Sequence, residues 1–225
     1  MAWTALLDNP AQRLLTFILS AIVLAVGASM SVAVRAQEPP KPGARDAARD
    51  AFFLVASPQL VDPAYRRSVL LVVPAAEDMH VGLIINRPTS RSLASLFPEH
   101  VPSKKVVDPV YFGGPMVAGS LVALVHAEQN PGAGSIELLE HLYLCMHSKV
   151  IDQIIETRPN EARYYAGMVQ WRPGELQQEL NRGLWHVFDA DESTVFRKNT
   201  EGLWEELLKR ASGLRAALEP PPALN

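Results

Sequence analysis

One arginine and a pair of glycines are the groups in this chain best placed to do chemistry. Arg87 lies in Val81-Gly82-Leu83-Ile84-Ile85-Asn86-Arg87-Pro88, and the glycines in Pro109-Val110-Tyr111-Phe112-Gly113-Gly114-Pro115. Each run is apolar, stops at a polar or glycine turn and is closed by proline. That is the pattern of a buried strand ending in a rigid corner. Arg87 offers a planar donor fork on a backbone restricted by the proline that follows, which suits a carboxylate of a partner or of the same domain. Adjacent glycines let backbone amides face outward without a side chain in the way. If the corners lie side by side, Asn86, Arg87, Gly113 and Gly114 line a polar niche. The expected occupant is a protein segment or a small anionic ligand. His126, at the end of the next apolar run, is a further candidate for the same surface.

Other chemistries have weaker support. A hydrolase would need Ser57 or Cys145 beside His126, and no Gly-x-Ser-x-Gly elbow exists to present a nucleophile. A metal could use His141, Cys145 and His147, because Cys145 and His147 share a face if their segment is a strand. Histidines scattered among leucines are more often packing or surface residues, so no metal and no cofactor is expected. Gly113-Gly114 lacks the Gly-x-x-x-x-Gly-Lys spacing of a phosphate loop and precedes a strand instead of a helix. Trp171, just before Pro173-Gly174, reads as a packing aromatic. The balance favours a non-enzymatic binding or regulatory module.

Composition sets the frame. The chain has 225 residues, 48 % hydrophobic and 20 % charged, with a net charge of −3. A slightly acidic surface does not attract phosphate backbones over long range, so direct nucleic-acid binding is not expected. Arg66-Arg67 and Lys104-Lys105 are local basic pairs on solvated loops or strand edges. Cys145 is the single cysteine, which excludes an intrachain disulfide.

The first 36 residues have their own character. Leu14 to Val34 is uncharged, Arg13 precedes it, and Ala33-Val34-Arg35-Ala36 ends it with small residues. This describes a secretory signal peptide cut near Ala36, which would export the domain to the periplasm. The run is also long enough to anchor in a membrane through residues 14–34. The cations Arg35, Lys41, Arg45 and Arg49 after it would then hold the domain in the cytoplasm. Residues 37–50 read as a flexible spacer, 51–215 as one domain and 216–225 as a proline-rich tail.

Within the domain, Phe52–Ala56, Ser68–Val73, Val81–Ile85, Val106–Phe112, Gly119–His126, Arg163–Val169 and Trp185–Phe188 read as strands. The second and third should form a hairpin. Asp62-Pro63 reads as the start of one short helical turn. Thr89 or Ser90 should cap a short helix through Leu93, Leu96 and Phe97, and Ser148 a helix through Val150 to Ile155. Helices are also expected over Pro173–Leu180, stopped near Gly183, and from about Thr200 to Leu218. Ser135–Met146 contains strand pieces. The irregular mixture argues for α+β.

The order of motifs resembles the YqgE/AlgH family. The resemblance is carried by Phe53-Leu54-Val55-Ala56-Ser57-Pro58, Asp62-Pro63, Ser68-Val69, the Asn86-Arg87-Pro88 and Phe112-Gly113-Gly114-Pro115 corners, His126, and Trp171-Arg172-Pro173-Gly174-Glu175-Leu176. It covers residues 51–210. It implies a bifurcated, barrel-like antiparallel sheet with flanking helices. It also brings an old label of transcriptional regulator and no assigned reaction. The chain departs from the family in its apolar leader and in having Gly174-Glu175-Leu176 for the usual Gly-Gln-Leu. An exported protein could not act on a promoter directly.

Overall fold

The computed structural model describes residues 51–218; the expected leader and spacer lie outside the described residues, as does the expected proline-rich tail apart from residues 216–218, which are helical. The strands are β1 (Phe52–Ala56), β2 (Val69–Pro74), β3 (His80–Ile84), β4 (Pro88–Ser92), β5 (Pro109–Phe112), β6 (Met116–His126), β7 (Ser135–Leu139), β8 (Leu142–Cys145), β9 (Ala162–Trp171) and β10 (Trp185–Asp189). The helices are α1 (Leu93–Leu96), α2 (Ser148–Thr157), α3 (Glu175–Asn181), α4 (Glu192–Val195) and α5 (Leu203–Leu218). No helix among the described residues is long and apolar enough to cross a membrane.

β1, β2 and β3 form an antiparallel meander, and β10 closes its outer edge by pairing with β1. The first two strands are apolar at nearly every position because both faces are covered, as continuous runs require. Phe53, Val55, Leu71 and Leu83 pack with Leu203 and Leu207 of α5. On the other face, Leu54, Leu70, Val72 and Ile84 pack with Trp171, Trp185 and Leu176 of α3. A third cluster places Val150, Ile151, Ile154 and Ile155 of α2 on Ala123, Val125, Tyr143 and Cys145 of β6 and β8.

The sheet forks at β9. One edge of β9 pairs with β6. The other edge pairs antiparallel with β3 near its end (Gly82 opposite Val169) and parallel with β5 further back (Tyr111 opposite Tyr165). β4 then adds to β5, while β8 and β7 extend the β6 side. The fold is α+β, with a curled, bifurcated, half-barrel sheet and a few helices, as the motif order implied. The pairing is antiparallel except between β5 and β9.

Several local expectations shift. Pro88–Ser92 is strand β4, so Ser92 caps α1, accepting from Ser95 N at 3.1 Å, in place of Thr89 or Ser90. Ser148 is the first residue of α2, and His147 occupies the capping position without a side-chain bond. Ser135–Met146 resolves into the β7–β8 hairpin. Asp62-Pro63 does begin a single turn. The Asp62 carbonyl accepts from Tyr65 N at 3.0 Å and Arg66 N at 2.7 Å, and Arg67 (φ 56°) ends it.

The fork demands glycine at one point above all. A Cβ on Gly113 would stand 2.2 Å from the Gly167 carbonyl oxygen, inside the β5–β9 contact. Gly113→Ala should therefore reach or exceed the roughly 3 kcal/mol at the upper end of ordinary core overpacking. Gly119→Ala, where the new carbon meets nothing within 4 Å, should stay within about 0.5 kcal/mol of the parent. Urea unfolding of both variants checks this. Equal midpoints would mean that the backbones are not in close approach.

Candidate functional site

The two proline-closed corners meet at the fork. Phe112 N donates to the Arg87 carbonyl at 2.8 Å, and Pro88 pairs with Tyr111. Gly113 then bridges the two arms of the sheet. Its carbonyl accepts from Ile84 N and its amide donates to the Ala166 carbonyl, each at 2.9 Å. The sequence suggested outward amides, but that of Gly113 is turned inward by this bond. A Cβ on Gly114 would lie 2.3 Å from the Met168 carbonyl oxygen. The glycine pair therefore serves a backbone-on-backbone contact with β9.

The polar side chains of the first corner face one turn. Asn86 Oδ1 accepts from Val69 N at 2.9 Å, and its Nδ2 donates to the Arg67 carbonyl at 3.0 Å. Arg87 Nη1 donates to the Ala64 carbonyl at 2.7 Å and more weakly to that of Pro63 at 3.4 Å. Arg87 Nη2 donates to the Arg66 carbonyl at 2.7 Å. The fork is thus filled by carbonyls of the Asp62–Ser68 turn and, among the described residues, pairs with no carboxylate. Partial burial lowers the Arg87 pKa, the nearby Arg66 charge adds to the effect, and Asp62 opposes it.

The turn held in this way carries two exposed arginines. Arg67 lies over the Trp204 ring, 4.8 Å from its centroid, and pairs with Glu205. Trp204 is fixed in turn by donating its indole N–H to the Ala56 carbonyl at 2.7 Å. Arg66, Arg67 and Trp204 line a cleft of about 270 Å³ together with Ser57, Pro58, Leu60 and Val61.

His126 is not brought to this place. It ends β6, where Val125 pairs with Ala162, whereas Gly113 sits level with Ala166. His126 lies one residue beyond Val125, so about five strand residues, roughly 16 Å, separate the two levels. The His126 ring lies 5.9 Å from that of His141, and its Nε2 is 3.8 Å from Glu192. Cys145 is buried 3.4 Å from Ser135 Oγ, and burial pushes its thiol pKa up, which suits an inert packing cysteine. Ser57 is buried, and its Oγ accepts from Gln59 N at 3.3 Å. No hydrogen bond joins Ser57 or Cys145 to the His126 side chain among the described residues. Nor do three or more His, Cys, Asp or Glu gather there as metal ligands.

Two features escaped the sequence. Glu179 on α3 accepts at a single oxygen, Oε2, from Trp171 Nε1 at 2.9 Å and from Trp185 Nε1 at 2.7 Å. These three residues line a second cleft of about 360 Å³. The available signal was Glu175 and Glu179, four residues apart on one helical face and flanked by tryptophans. Arg163, 2 % exposed on β9, donates to the carbonyls of Val195 (2.6 Å), Phe196 (3.1 Å) and Arg197 (3.1 Å) and lies over the Tyr111 ring. Its signal was a cation within an apolar strand.

Known proteins are similar to this chain over most of its length. A UPF0301 protein of Streptomyces coelicolor is 29 % identical over 183 residues, covering 77 % of this chain and 93 % of the relative. One from Methylococcus capsulatus is 32 % identical over 165 residues, covering 71 % and 89 %. The crystal structure of a Corynebacterium diphtheriae protein superposes with a TM-score of 0.59 at 25 % identity, covering 77 % of this chain and 88 % of that one. The solution structure of AlgH from Pseudomonas aeruginosa gives 0.60 at 24 %, covering 76 % and 94 %, and shows the same fold. A family model described as AlgH-like matches residues 53–215, and the chain belongs to the AlgH-like family.

Proposed function

We propose that this domain is a non-enzymatic binding module that recognises an anionic group at the surface of the Asp62–Ser68 turn. The group is carried by a protein segment or by a small ligand. One observation supports this reading above others: Asn86 and Arg87, the polar residues of the first corner, both direct their side chains at that turn. They act as positioning residues, and Gly113 and Gly114 allow the fork behind them to close. Arg66 and Arg67 are the contact residues. A regulatory role would run through such a contact.

Glu205 indicates the chemistry. Its carboxylate already pairs with Arg67, whose guanidinium is supported from behind by Trp204. A ligand carboxylate or phosphate would take the place of Glu205, and the planar fork would receive it in the same way. Both arginines are exposed, so the attraction is screened by salt and is strongest at low ionic strength.

Amide chemical shifts test the proposal, with inorganic phosphate and acetyl-tetraglutamate amide as probes at low salt. Saturable changes are expected at residues 57–67 and 204–205. They should vanish in the Arg66→Gln/Arg67→Gln double variant and strengthen in Glu205→Gln. A response to phosphate alone marks a small anion, and one to the peptide alone marks a protein segment. Absence of both refutes the assignment. Arg87→Ala should lower stability by about 2 kcal/mol, through lost charge-assisted bonds to carbonyls, and weaken the response although Arg66 and Arg67 remain.

A further inference from the structure

We infer that the cleft between α3, the end of β9 and the Leu60–Tyr65 loop binds an alkylammonium or alkylguanidinium group. This inference concerns a different cleft from the one beside Arg66 and Arg67 and does not rest on it.

The centre of the cleft is the Glu179 carboxylate. Two indole N–H groups converge on Oε2, at 2.9 and 2.7 Å, and Oε1 accepts from neither. Bonds from neutral donors to an ionised oxygen are charge-assisted and fix the carboxylate in one orientation. A negative charge held in this way loses little further freedom when a cation arrives. Pinning two tryptophans requires only an acceptor atom. A carboxylate that lines a cleft and holds both indoles with one oxygen does more than packing asks.

The walls suit the rest of such a ligand. Trp171, Trp185 and Tyr65 line it; the two indoles are only 4 % and 6 % exposed, and half-buried Tyr65, T-shaped to Trp185 with ring centroids 6.3 Å apart, is the more open ring. Aromatic surface accepts an alkyl chain and, at a ring face, attracts its cationic head. The volume of about 360 Å³ lies at the small end of ligand pockets, room for a short chain and one head group. Burial, aided by the charges of Asp62 and Glu179, raises the Tyr65 pKa, so its hydroxyl stays protonated at neutral pH. The ionic lining is Glu175, Glu179 and Arg182, two carboxylates against one guanidinium. Arg182 also reaches the adjoining cleft beside Ser57 and His186. It opposes a cation and so offers a handle of opposite sign.

The indole N–H resonances of Trp171 and Trp185 report directly on Glu179. The full chain is titrated with n-butylammonium chloride, n-butylguanidinium chloride and acetyl-lysine methylamide. Butanol, sodium butyrate and sodium chloride serve as controls. Saturable shifts are expected with the cations alone. A response to the butyl cations but not to the lysine derivative marks a small free ligand, and a response to all three admits a basic side chain. Glu179→Gln keeps an oxygen for both indoles but removes the charge, and should weaken binding about ten-fold or more. Arg182→Gln should tighten it. Equal shifts with butanol or butyrate would overturn the assignment, as would affinities unchanged in both variants. If Glu179→Gln fails to fold, the wild type and Arg182→Gln still decide.

Discussion

A sheet that forks leaves backbone donors and acceptors at the branch without ladder partners, and this domain depends on how they are satisfied. The last backbone bond between the β2 and β3 arms runs from Ile85 N to the Val69 carbonyl at 2.9 Å, and Asn86 continues the ladder with a side chain. Its amide accepts from Val69 N and donates to the Arg67 carbonyl, as a facing peptide unit would. Across the gap, Gly113 joins Ile84 on one arm to Ala166 on β9. No residue with a Cβ fits there, because the branch brings three backbones into contact. The two corners are therefore one structural device, and the turn that displays Arg66 and Arg67 is held by it.

Two arginines are used alike. Arg87 and Arg163 each direct their guanidinium at neighbouring carbonyls where regular structure gives out, those of Pro63, Ala64 and Arg66 in one case and those of Val195, Phe196 and Arg197 in the other. Irregular backbone has no ladder of its own, so a planar fork that reaches several carbonyls substitutes for one. Arg163 does this while almost fully buried. The rings of Tyr111 and Phe196, 4.6 and 5.8 Å from its guanidinium carbon, supply further compensation. Removing such a cation would release the segment it holds more than it would cost an ion pair.

The strands with continuous apolar runs were legible because both faces of the meander are covered. The corners were legible because proline and glycine leave strong marks. Arg87's partners were not, since a carbonyl belongs to every residue and leaves no trace in side-chain type. β4 was missed for a related reason: Pro-Thr-Ser-Arg-Ser is exposed and has no apolar alternation, and it is a strand only because β5 lies beside it. The glycine pair looks like a turn with free amides in the sequence, whereas its need for glycine comes from a strand more than fifty residues away. Glu179 looked like one more solvated helix residue until the fold brought two tryptophans to a single oxygen.

The pairing order also bears on biosynthesis. β1, β2 and β3 are the first of the described strands to leave the ribosome, yet their outer partners β9 and β10 begin only at Ala162 and Trp185. The nascent meander must wait with both margins open, and its strands are among the most hydrophobic segments of the domain. Open margins on such strands are templates for pairing with other chains. From translation of Ile84 until that of β9 both margins stay exposed to such mispairing, and the β1 margin remains so until β10 follows.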